Sequence, residues 1–127
     1  GRLHILVIDE DSAVRDFLPP LLKAHHVDTE AGGRAALRKI ETTDYDVVIS
    51  DWTMSGMSGL DVVRHVKQMK PHIFTILMTG WEIKNSIIED HLDIDLTISK
   101  PFTQSSLNKA LAKADEIRRN HLAGDQG

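Results

Sequence analysis

Three carboxylates, a hydroxyl and an ammonium stand at the ends of short apolar runs in this 127-residue chain. Asp9 and Glu10 follow Leu3-His4-Ile5-Leu6-Val7-Ile8, and Asp51 closes Val47-Val48-Ile49-Ser50. Thr79 ends the run from Ile73 to Met78, and Lys100 follows Ile94, Leu96 and Ile98. Three carboxylates brought together repel one another unless a cation joins them. Oxygen ligands without His or Cys suit Mg²⁺ (or Mn²⁺), which keeps several waters and accepts few protein ligands. A carboxylate beside such a cation is a nucleophile for a phosphoryl group and gives an acyl phosphate. In that chemistry Thr79 donates to one phosphoryl oxygen. Lys100 pairs with another, or with the free carboxylate beforehand.

These groups cooperate only if the chain gathers them. Continuous β-branched runs read as strands buried on both faces, and a parallel sheet places all their C-terminal ends on one edge. Ser12 is expected to cap a first helix with Val14, Phe17, Leu18, Leu21 and Leu22 on its apolar stripe. Pro19-Pro20 predicts a kink or early end there, because proline removes a helical hydrogen bond and clashes with the preceding turn. His25 to Glu30 reads as a weak strand near an edge. Gly32-Gly33 breaks the chain before a short helix with Ala35, Ala36, Leu37 and Ile40. Ser58 caps a third helix carrying Leu60, Val63, Val66 and Met69, and Pro71 stops it. Ile83, Ile87, Ile88 and Leu92 suggest a fourth helix. Thr103 or Gln104 opens the last, with Leu107, Ala110, Leu111, Ala114 and Ile117 inward and Lys109, Lys113, Arg118 and Arg119 outward. Five strands alternating with five helices predict an α/β domain with a doubly wound parallel sheet over residues 1–122. Residues 123–127 read as a flexible tail or the start of a linker.

Composition agrees with one soluble domain: 41% hydrophobic and 27% charged residues, no cysteine and a net charge of −4. The charge argues against direct nucleic-acid binding. No apolar run approaches the roughly 18 residues of a membrane span, so no membrane contact and a cytoplasmic setting are expected. Only the adjacent His25-His26 among seven histidines are spaced to act together, and they are expected to face solvent. No serine lies in a Gly-x-Ser-x-Gly context. Taken singly, Asp9-Glu10-Asp11 is equally at home as a solvated acidic turn and Asp51 as a cap. Their common placement at strand ends carries the argument.

The chain resembles the receiver domain of two-component response regulators from Ile5 to about Ile117. Ile8-Asp9-Glu10-Asp11 resembles the acidic cluster of that family and Asp51 its phospho-acceptor. Met54-Ser55-Gly56-Met57-Ser58-Gly59 resembles the loop that follows. Thr79-Gly80 resembles the switch threonine with its small neighbour, and Lys100-Pro101-Phe102 the lysine with its cis-proline loop. The resemblance implies a flavodoxin-like sheet of order 2-1-3-4-5. It also implies a histidine kinase or phosphotransfer domain as partner, and phosphoryl transfer to Asp51 with Mg²⁺. Asp9, Glu10, Asp51 and the Thr53 backbone carbonyl would hold the metal. Thr79 would then move and alter the face made by the fourth helix, fifth strand and last helix, through which a homodimer could form. As a receiver the chain catalyses only its own phosphorylation and dephosphorylation.

Departures from the family pattern shape further expectations. Thr97 stands where the family usually carries Tyr or Phe, so switching is either weak or runs through the fourth helix directly. Ser55 replaces a common proline. Thr53 and Trp81 are expected to modulate hydrolysis, with Trp81 covering the acyl phosphate. Thr79-Gly80-Trp81 resembles receivers attached to hybrid sensor histidine kinases. Competing functions are a pseudo-receiver that serves only protein interaction, an aspartate-nucleophile phosphatase and a flavin binder. The phosphatase wants an aspartate where Thr53 stands. The flavin binder wants a Thr-, Ser- and Gly-rich loop where Asp9-Glu10-Asp11 stands.

Overall fold

A computed structural model of the chain describes residues 2–80 and 93–126. Its elements are β1 (His4–Ile8), α1 (Ser12–Leu21), β2 (His26–Glu30), α2 (Gly33–Thr42), β3 (Val47–Asp51), α3 (Gly59–Met69), β4 (Phe74–Thr79), β5 (Leu96–Ser99) and α4 (Gln104–Gln126). The strands form one parallel sheet in the order β2-β1-β3-β4-β5. The doubly wound α/β expectation and its strand order are thus borne out. Four helices lie among the described residues; the helix expected around Ile83 to Leu92 falls outside them. Helix α4 runs through residues 123–126, where a tail was expected. No helix among the described residues is long and apolar enough to cross a membrane.

Strand alternation sorts the core onto two faces. Ile5 and Val7 of β1, Val47 and Ile49 of β3, and Phe74, Ile76 and Met78 of β4 pack with Leu18 and Leu22 from the α1 region. Leu107, Ala110, Leu111 and Ala114 of α4 complete that layer. On the other face Leu6, Ile8 and Val48 meet Ala36 and Ile40 of α2 and Val62 and Val66 of α3, with Tyr45 and Met54. Each central strand is therefore buried on both sides, which explains why β1, β3 and β4 read as unbroken apolar runs.

Several local details differ from the expectations. Asp11, not Ser12, caps α1: its Oδ1 accepts from the Ala13 N–H at 2.9 Å. Helix α1 accommodates Pro19 and Pro20 and then ends, with Leu22 N–H closing a tighter turn on the Pro19 carbonyl at 3.0 Å. Phe17 and Ile117, expected to face the core, are 55% and 41% exposed, and Phe17 lies against Phe102 instead. His26 faces solvent as expected, but His25 Nδ1 accepts from the Leu3 N–H at 3.0 Å. Ser58 caps α3, accepting from the Asp61 N–H. Thr103 and Ser106 bond reciprocally at the start of α4, as a capping box does.

Candidate functional site

The C-terminal edge of the sheet carries the site. Register aligns β3 and β4 so that Asp51 lies beside Met78, and β4 with β5 so that Thr79 lies beside Ser99. Asp9 leaves β1 directly before α1, is 1% exposed, and accepts from the Asp11 N–H at 2.9 Å. Lys100 follows β5, and its backbone N–H donates to the Thr79 carbonyl at 2.8 Å. The Lys100-Pro101 peptide is cis.

One ammonium joins the two aspartates. Lys100 Nζ lies 3.2 Å from Asp9 Oδ2 and 3.2 Å from Asp51 Oδ1. Burial, and after it the Asp9 carboxylate, push Asp51 above the usual carboxylate range. Lys100 and the Thr53 backbone N–H oppose that rise without cancelling it. Burial would lower the Lys100 ammonium, but Asp51 and then Asp9 outweigh it and leave it above the ordinary lysine range. The site thus holds a half-buried carboxylate, a like charge beside it and the Lys100 ammonium as counter-charge.

Two predicted members are turned elsewhere. Glu10 is exposed, and its carboxylate accepts from both the hydroxyl and the backbone N–H of Ser55. Those two bonds, the hydroxyl's first, hold Glu10 below the usual carboxylate range. The Thr79 hydroxyl donates to the Ile98 carbonyl at 3.5 Å. Thr97 is half-buried on β5 beside Leu77, and Trp81 lies outside the described residues. The edge therefore gathers Asp9, Asp51 and Lys100 tightly, with Glu10 on its flank. The donor set suits a hard divalent cation: carboxylate oxygens only, with an Asp9-Asp51 repulsion that such a cation relieves.

Ser55 and Arg15 contribute contacts that the sequence did not disclose. Arg15 Nη1 donates to the Asp9 and Glu10 carbonyls at 2.7 and 2.9 Å, fixing the turn that presents both side chains. Its place one helical turn beyond Asp11 was the available signal. Gly59 is a third. A Cβ there would sit 2.0 Å from the Asp51 carbonyl oxygen, so only glycine lets α3 start directly against the Asp51 backbone. Gly56, at φ +74°, turns the intervening loop.

The family model described as response regulator receiver domain matches residues 5–112. Chemotaxis protein CheY-3 of Vibrio cholerae is 28% identical over 121 residues, covering 91% of this chain and 93% of that protein. A response regulator receiver domain protein from Clostridium thermocellum superposes with a TM-score of 0.83 at 32% identity, covering 95% of this chain and 98% of that one. The receiver domain of a sensor histidine kinase from Pseudomonas aeruginosa, with magnesium coordinated in its active-site cleft, gives a TM-score of 0.79. At 18% identity, covering 89% of this chain and 97% of that one, it speaks to the fold alone.

Proposed function

Because the chain belongs to the response regulator receiver domain family, we propose that Asp51 accepts a phosphoryl group from the phosphohistidine of a histidine kinase or phosphotransfer domain. The observation that carries this is the single ammonium of Lys100 at 3.2 Å from both Asp9 and Asp51. In the transfer, an Asp51 carboxylate oxygen forms the new bond to phosphorus, and the bond to the partner's imidazole nitrogen breaks. That nitrogen leaves with the electron pair. Lys100 exchanges part of its hold on Asp51 for an incoming phosphoryl oxygen, so charge at the site stays compensated. Thr79 turns its hydroxyl from the Ile98 carbonyl to the phosphoryl group, and this loosens the edge between β4 and β5. Asp9, Glu10, Asp51 and the Thr53 carbonyl would hold Mg²⁺, which neutralises phosphoryl oxygens when bound. Glu10 would hold it only on giving up its bonds to Ser55. Thr53 and Trp81 modulate hydrolysis.

The test is incubation with acetyl phosphate and Mg²⁺, followed by intact mass. Wild type gains one phosphoryl group, Asp51→Asn gains none, and Lys100→Met is labelled much more slowly. Label on Asp51→Asn would overturn the assignment. An unlabelled wild type would return the chain to a pseudo-receiver that serves protein interaction only.

A further inference from the structure

The opposite edge of the sheet carries a second cluster with different chemistry. Parallel pairing of β1 with β2 sets His4 beside His26, and Asp28, two residues along β2, points to the same side as His26. His4 Nε2 lies 3.1 Å from Asp28 Oδ2, and His26 Nε2 lies 3.8 Å from Asp28 Oδ1. One ligand atom from each residue lies within 4.8 Å of the other two, and this is the one such His/Asp/Glu trio among the described residues. The Tyr45 hydroxyl donates to Asp28 Oδ2 at 2.7 Å from a side chain that is itself buried.

We propose that His4, His26 and Asp28 form a binding site for a divalent transition-metal ion of the zinc class, separate from the site at Asp51. Two imidazoles and a carboxylate are the donor set that zinc-class ions prefer and that Mg²⁺ does not. Ligands of a tetrahedral zinc ion stand about 3.4 Å apart at bond lengths near 2.1 Å. The 3.1 and 3.8 Å separations, to the two oxygens of Asp28, bracket that spacing, and all three ligand atoms lie within 4.8 Å of one another. Tyr45 supplies the outer hydrogen bond that orients a ligating carboxylate. The His26 side chain is 59% exposed, which leaves the ion an entry path and a position for water. An ion here ties edge strand β2 to β1 where the two strands begin.

The experiment titrates the full chain with Zn²⁺ against a chromogenic chelator, and follows imidazole resonances by NMR. Wild type is expected to bind one Zn²⁺, with shifts centred on His4 and His26. His26→Gln, at an exposed position that should not disturb folding, weakens binding at least about tenfold. Tyr45→Phe weakens it by about ten- to a hundredfold. Asp51→Asn and excess Mg²⁺ leave it unchanged. No saturable binding, equal affinity in His26→Gln, shifts centred on other histidines, or loss of zinc in Asp51→Asn or with Mg²⁺ would each overturn the proposal.

Discussion

Replacing Gly59 by alanine tests whether the position of Asp51 depends on the close approach of α3. The added Cβ would meet the Asp51 carbonyl oxygen at 2.0 Å, its carbon at 2.9 Å and Leu77 Cδ2 at 3.0 Å, whereas ordinary contact starts at 3.4 Å. Backbone must therefore move by more than an ångström. The end of β3 is poorly able to give way, because Trp52 N–H donates to the Met78 carbonyl at 3.0 Å. The start of α3 is tied to the same segment, with Gly59 N–H on the Trp52 carbonyl at 2.9 Å. Overpacking costs about 1–3 kcal/mol. A strained or broken hydrogen bond adds about 1 kcal/mol. Removing glycine's entropy returns less than about 1 kcal/mol. The net loss is about 1–4 kcal/mol, and for a domain of this size the melting temperature falls by about 3–15 °C. Thermal unfolding by circular dichroism measures it. Acetyl phosphate labelling of the still-folded variant should also slow, because the displaced carbonyl belongs to Asp51 itself. A drop of less than about 3 °C with normal labelling would refute the reasoning.

Three further outcomes are expected. Asp51→Asn stabilises the protein to urea at neutral pH. The folded Asp51 pKa is raised, so its contribution is greatest below the unfolded value and declines as pH rises through the interval up to the folded one. The gain should therefore shrink as the measurement moves to acid, and a gain independent of pH would contradict that cause. Tyr45→Phe costs about 1–2 kcal/mol at pH 7 by removing a charge-assisted bond to Asp28. Tyr45 first, then His4, holds Asp28 below its usual range, so this stabilisation is present above the unfolded carboxylate pKa and fades as pH falls through the folded one. Urea midpoints at pH 7 and in acid decide it. Gly32→Ser adds roughly a few tenths of a kcal/mol, because Gly32 caps α2 in an extended conformation without a side-chain bond and with nothing within 4 Å of its Cβ position. An unchanged melting temperature would count against an available cap.

The strands and their order of chemistry were legible because burial on both faces leaves an unmistakable pattern. Val47-Val48-Ile49 and Ile76-Leu77-Met78 have no polar residue among them, and Asp51 and Thr79 stand where each run stops. Asp9, Asp51 and Lys100 followed from parallel pairing alone. Side-chain partners across loops were not legible. Ser55 takes Glu10 because the loop from Trp52 to Ser58 folds back over the acidic turn, and no periodicity encodes that return. Phe17 fits a helical stripe by spacing, but it is 55% exposed and its ring pairs with Phe102 instead of entering the core. Asp11 outcompeted Ser12 as cap because both can cap and only the turn after Asp9 decides between them. The His4-His26-Asp28 group depends on register between two strands separated by a helix, which no local spacing reveals.

The bridge from Lys100 to Asp9 spans 91 positions in the chain. Closing so long a loop has an entropic cost that is recovered only when the intervening strands are already paired. The ion pair at the heart of the site is therefore expected to form late in folding, and to be lost when β5 leaves the sheet edge. A chain that is still emerging, or one caught half-assembled, has its acidic residues apart and its lysine elsewhere. The assembled cluster of Asp9, Asp51 and Lys100 thus doubles as a mark of maturity: a chain that has not finished folding does not have it.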